Sequence, residues 1–197
     1  FRLSSPKSGI WRFRVYCGCD MVTTFNVWLP ISNFLSGDTF LFNSDPFTTL
    51  TGPANALLPI AITSYNSVSQ ELYDEASKGF PRTFTRKPDV AAPGVNIITS
   101  TVGNQLVNIS GSGVATAHAT GAVALLLEWG IVRGNLTTMN LHDVRNIITF
   151  GARREKDTSY PNQSWGFGKL DILSSLEHAE TLRPQSLEAL DQDHREI

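Results

Sequence analysis

Ser110-Gly111-Ser112-Gly113-Val114-Ala115-Thr116-Ala117-His118-Ala119-Thr120-Gly121-Ala122-Val123-Ala124-Leu125-Leu126-Leu127 is the stretch on which the fold turns. It opens on small residues and runs into an apolar segment rich in Ala and Leu. Glycine and serine suit a tight turn, because they tolerate unusual backbone angles and hydrogen-bond locally. The residues that follow are good helix formers. Val114 to Trp129 is apolar nearly all round, which predicts a helix buried at the centre of the domain. Hydrolases often place a nucleophile on a turn of small residues that feeds a buried helix. The first backbone N–H groups there are unpaired, and the helix dipole favours negative charge.

Outward from this stretch, the chain has 197 residues, 41% of them hydrophobic, enough for one sizeable core or one core and a piece of another. A formal charge of −2 argues against a nucleic-acid footprint, which needs a basic face. No apolar run in the sequence reaches the length of a membrane span. Phe1 to Ser8 is polar and begins without Met, so no signal peptide is visible. Cys17 and Cys19 are the only cysteines. Residues two apart rarely meet disulfide geometry, and two ligands do not make a zinc site. Two free thiols at a turn are expected, with no metal and no cofactor.

Ile10 to Tyr16 alternates apolar and polar residues, which predicts a half-buried strand with Trp11, Phe13 and Val15 on one face. Gly18 to Thr23 reads as a turn, and Phe25 to Leu29 as a second strand stopped by Pro30. Such a hairpin belongs to an antiparallel unit. Residues 36–56 are rich in turn formers. Leu58 to Tyr65 is predicted as a buried strand, Gly94 to Ser100 as another, and Val107 with Ile109 as a short third. Leu141, Val144, Ile147 and Ile148 recur at helical spacing, with Asn140 as cap and Gly151 as stop. A last helix runs from Asp171 to about Glu180. Residues 181–197 are charged and read as a tail without a fixed core contact.

The opening stretch resembles the serine block of the subtilisin-like (S8) peptidases, written Gly-Thr-Ser-x-Ala-x-Pro-His-x-x-Gly. Gly111 matches the first Gly, Ser112 replaces the Thr, and Ala115, Thr116, His118 and Gly121 fall in step. Ala117 stands where that family has Pro, and Gly113 where it has the nucleophilic Ser. Lys87-Pro88-Asp89-Val90-Ala91-Ala92-Pro93-Gly94 resembles the family's Lys-Pro-Asp-x-x-Ala-Pro-Gly segment, in the right order and at the expected distance. Tyr160 to Leu170 is similar to its closing Trp-Gly-x-Gly segment. The resemblance implies an α/β, three-layer subtilisin-like fold with a mostly parallel sheet, of which this chain is the C-terminal portion. Residues 1–35 resemble the end of a jelly-roll-like β insert of the kind found in clostridial-type spore-germination proteases. Residues 36–180 would then be the peptidase part and 181–197 the tail.

The family's mechanism needs a serine nucleophile, a histidine base, an orienting aspartate and oxyanion donors. His118, His142, His178 and His194 all follow Gly113, and none lies in a His-Gly-Thr context. No aspartate with the family's flanks precedes them, so the triad's Asp and His are not in this chain. Ser112 is expected to act as a turn hydroxyl or helix N-cap, and Ser110 likewise as a structural residue. His118 is expected to pack within the helix. Asp89 is expected to make local turn hydrogen bonds, and Asn104 and Asn108 to be ordinary loop residues. The backbone N–H of Gly113 could still serve an oxyanion site, but it cannot form an acyl-enzyme.

Two functions stay open. One is a pseudoprotease that works by binding a partner protease, the N-terminal half of its own protein or a peptide-like segment. By resemblance it would regulate spore germination, in a spore-associated or extracytoplasmic location. The other is a fragment of an active subtilisin-like serine endopeptidase with a mutated or lost serine. A binding module without protease ancestry fits poorly with two matched blocks.

Overall fold

The computed structural model describes residues 7–16, 18, 25–30, 34–35, 39–83 and 85–183. The chain divides into two compact units, Phe1–Phe42 and Asn43–Ile197. The cysteines at 17 and 19, most of the turn expected at 18–23 and the tail beyond residue 183 lie outside the described residues.

In the second unit, short apolar runs form two parallel strands, β1 (Ile62–Tyr65) and β2 (Val90–Pro93). Their register runs from Ile62 opposite Val90 to Tyr65 opposite Pro93. Val90, Ala91 and Ala92 are fully buried, as residues of a parallel strand covered on both faces should be. Residues 168–170 add to the far side of β2. Ala91 N–H donates to Gly168 O at 2.9 Å, and Leu170 N–H donates to Ala91 O at 2.7 Å. An antiparallel hairpin follows, β3 (Ile97–Thr101) with β4 (Gln105–Ile109), in register from Ile97 opposite Ile109 to Thr101 opposite Gln105.

The helix predicted from Val114 forms as α1 (Ser112–Leu127) and widens into a π turn at Glu128–Val132. Its burial differs from the expectation. Only Ala115, Ala119, Ala122 and Leu126 are buried, a single stripe facing β1 and β2. The opposite side is open, with Leu125 at 53% exposure. A helix apolar all round needs cover on all sides, and the elements of this unit cover one. Ser112–Val132 is also long and apolar enough by composition to cross a membrane. Its alanine stripe packs on the sheet instead, as in a core helix.

α2 (Leu141–Phe150) starts where the sequence places it. Asn140 Oδ1 accepts from the N–H of His142 at 2.8 Å and of Asp143 at 3.3 Å, and Asp143 Oδ2 accepts from Asn140 N–H at 2.9 Å. This reciprocal capping box satisfies donors that the first turn cannot. Gly151 ends the helix for a reason other than a left-handed cap, since its φ is −73°. A Cβ there would lie 2.5 Å from the Ser175 backbone, where α3 (Ile172–Thr181) crosses. Val90, Leu126, Met139, Val144, Ile147, Ile148, Ala152 and Ala179 close the core.

The first unit corrects a second expectation. Neither Ile10–Tyr16 nor Phe25–Leu29 forms a strand, and Trp11, Phe13, Val15 and Val27 are exposed. Alternation specifies a strand only where one face has something to bury against, and a lone two-stranded hairpin is marginal in water. Among the described residues of this unit no third strand supplies that face.

Candidate functional site

The turn that opens α1 hangs from the C-terminal end of the parallel pair. Gly94 N–H donates to Tyr65 O at 3.0 Å, and Gly111 N–H donates to Gly94 O at 2.8 Å. Open α/β sheets place ligands just beyond the carboxyl ends of their strands, and the first turn of α1 lies there. Gly94 has to be glycine. A Cβ would collide with Ser64 Oγ and stand 2.8 Å from Gly111 O and 2.9 Å from Ala115 Cβ. Ser64 is itself fully buried, and its hydroxyl has no hydrogen-bond partner among the described residues.

Gly113, which the motif alignment sets at the nucleophile position, is the second residue of α1 and is exposed. A Cβ added to it meets nothing within 4 Å. Ser112 is not the N-cap: Gly111 is, and no side chain caps the helix. The cap fails because Ser112 is already helical, and an N-cap side chain works only from a residue outside the helix. Ser110 Oγ accepts from Asn96 N–H at 2.9 Å, a structural bond as expected.

The histidines go to separate places. His118 is on the exposed side of α1, not packed within it, with Nδ1 3.2 Å from Val114 O. The open flank of the helix explains this correction. His142 lies in the first turn of α2. The ring of His178 sits 5.2 Å from that of Phe150. His194 is outside the described residues. Asn104 takes a left-handed backbone (φ 57°) in the β3–β4 turn, and Asn108 pairs with Ile98 in β4.

Asp89 does far more than the turn bonding expected of it. Its carboxylate is fully buried. Oδ2 accepts from Lys87 Nζ at 2.7 Å and from Ala61 N–H at 2.7 Å, while Oδ1 accepts from Arg145 Nε at 2.7 Å. Lys87 Nζ also donates to Pro59 O. One carboxylate thus ties the entry to β1, the entry to β2 and the middle of α2. Burial pulls Lys87 below its ordinary 10.5, and Asp89 offsets part of that. The sequence held a signal for this cluster, a Lys-x-Asp pair next to an apolar strand. The third member, Arg145, is 56 residues away, and only the fold brings it in.

Chemically, the first turn of α1 offers the Ser112 and Gly113 N–H groups and the positive end of a 16-residue helix. It offers no nucleophilic side chain at 113. Among the described residues no group of three or more His, Cys, Asp or Glu could hold a metal ion.

Residues 36–168 match the profile of the Subtilase family, peptidase S8. Bacillopeptidase F of Bacillus subtilis (strain 168) is 25% identical over 161 residues, which is 80% of this chain and 11% of that protein. The Clostridium perfringens CspB protease structure superposes with a TM-score of 0.64 at 31% identity, over 66% of this chain and 29% of that one. The prenylagaramide maturation protease PagA gives 0.56 at 27% identity, over 68% and 47%. The chain therefore spans less than a third of bacillopeptidase F and of CspB. The matched region holds the two strands, the hairpin, α1 and α2, arranged as an α/β subtilisin-like fold with a likeness to the Csp proteases. On this match and this fold, the chain belongs to the subtilase family of peptidases.

Proposed function

We propose that this subtilase domain is a pseudoprotease, in which Gly113 occupies the place of the nucleophilic serine and the protein works by binding. The observation that carries the proposal is a bare glycine in the first turn of α1, at the carboxyl end of the parallel strands, where acyl transfer needs a hydroxyl. Removing the nucleophile leaves only the small residual catalysis of binding and oxyanion stabilisation. The partner is a protease, or the N-terminal half of the same protein, and the peptidase part (36–180) meets it. The likeness to a Clostridium perfringens Csp protease supports a role in spore germination and a spore-associated or extracytoplasmic site. Residues 1–35 would be the end of the β insert and 181–197 a polar tail. The test is a pull-down with full-length protein from germinating spores. Recovery of a subtilase partner is expected; recovery of no protease or signalling protein contradicts the proposal.

One observation favours a second reading, an active endopeptidase that has lost its serine. A Cβ at Gly113 meets nothing within 4 Å, so a side chain can start from this position without a clash. Gly113→Ser in full-length protein separates the two readings. Restored peptide hydrolysis favours the active endopeptidase; continued inactivity favours the pseudoprotease.

A further inference from the structure

We infer a second ligand site, separate from the α1 turn, for a carboxylate borne on an apolar body. A cavity of about 480 Å³ opens between the end of α2 and the segment 154–167. Small-molecule sites typically measure about 300–1,000 Å³. Phe150, Pro161 and Phe167 supply its apolar wall, and Arg154, Thr158 and Tyr160 supply polar groups.

The guanidinium is held in place before any ligand arrives. Arg154 Nη2 donates to Thr149 O at 2.7 Å, and Nε donates to Phe167 O at 3.0 Å. These two bonds fix the plane of the group against the cavity. Among the described residues Nη1 has no hydrogen-bond partner, so it remains for a ligand. Tyr160 Oη accepts from Glu155 N–H at 3.3 Å and keeps its own proton to donate. One carboxylate, Glu155, also lines the cavity, but its Oε1 accepts from Lys169 Nζ at 2.8 Å. That ion pair engages Glu155 with Lys169, and Arg154 has no carboxylate partner among the described residues. A preset guanidinium and a phenol beside aromatic rings match a carboxylate attached to an aromatic or branched side chain. Such a group comes from a small aromatic acid or from the C-terminus of a peptide.

The test is an amide-resolved NMR titration of the whole chain. The probes are N-acetylphenylalanine, its neutral amide, and Ala-Ala-Phe with a free or an amidated C-terminus. Saturable shifts at Phe150, Tyr160 and Phe167 are expected with both free acids and not with either amide. A tripeptide acid that binds more tightly than the single residue identifies a peptide C-terminus as the source, and equal affinity identifies the small acid. Arg154→Gln should weaken binding about 10-fold, the worth of one charge-assisted bond. Arg154 also holds two backbone carbonyls, so Phe150→Ala provides a second variant, at a side chain that is 65% exposed. It too should weaken binding while the spectrum stays dispersed. Equal shifts from acid and amide, unchanged binding in folded Phe150→Ala, or no saturable shift up to on the order of 10 mM would each overturn the assignment.

Discussion

Asp89→Ala breaks an ion-pair network centred on a fully buried carboxylate. It removes a carboxylate that accepts three hydrogen bonds, two of them from charged side chains. Lys87 Nζ then keeps Pro59 O alone, in a side chain with no solvent exposure. Breaking a buried ion pair from one side costs about 3–5 kcal/mol, because the remaining charge stays desolvated. Arg145 is 20% exposed, so water answers part of its loss and it adds little to that figure. Domains of this size are stable by only about 5–15 kcal/mol, so the variant should lose a large share of its stability and unfold at a clearly lower urea concentration than the parent. Urea titration followed by circular dichroism reads the change directly. Asp89→Asn keeps an acceptor for Ala61 N–H and should cost less than Asp89→Ala. Lys87→Met combined with Asp89→Leu removes both charges and should recover part of the loss. A cost below about 1 kcal/mol for Asp89→Ala would refute the reasoning, since it would mean that Lys87 finds water.

Further outcomes follow from other sites. Gly94→Ala must push its methyl into Ser64 and Gly111, and should destabilise by about 1–3 kcal/mol in the same titration. Asn140→Ala removes a capping box and should cost about 1 kcal/mol, with fraying confined to the first turn of α2 by hydrogen exchange. Gly113→Ser should fold as well as the parent or slightly better, because it fills open space and lowers backbone entropy in the unfolded chain. Lys169 pulls the Glu155 carboxyl below its ordinary 4.5. A carboxyl depressed in the folded state contributes stability above its unfolded pKa, and that contribution is lost as pH falls through the folded value. Stability should therefore fall on acidification below about pH 4.5, less steeply in Glu155→Gln, by urea titration across pH.

Helices and strands were legible in the sequence wherever a local signal sufficed. Asn140 with the Leu141, Val144, Ile147, Ile148 spacing marks α2, and the run ending at Tyr65 marks β1, whereas β2 (Val90–Pro93) was legible only as a motif block and not as a strand. The misreadings of the N-terminal strands, of the burial of α1 and of His118 share one physical cause. Trp11, Phe13 and Val15 alternate correctly for a strand, and α1 is apolar on every side, yet pattern says only that a face wants cover. It does not say whether this chain provides it. The same limit applies to Asp89, whose role depends on Arg145 arriving from a distant helix. At the candidate site, Gly113 could be located by motif, whereas the carboxylate cavity has no linear signature. Phe150, Arg154, Tyr160 and Phe167 meet only once α2 and the closing segment are folded.

On the proposed reading, the subtilase scaffold is present without its reactive oxygen at position 113. Intact-mass analysis of the full-length protein after treatment with a fluorophosphonate probe tests it most directly. An unchanged mass is predicted. A phosphonyl adduct on Ser112, Ser110 or any other serine would contradict it.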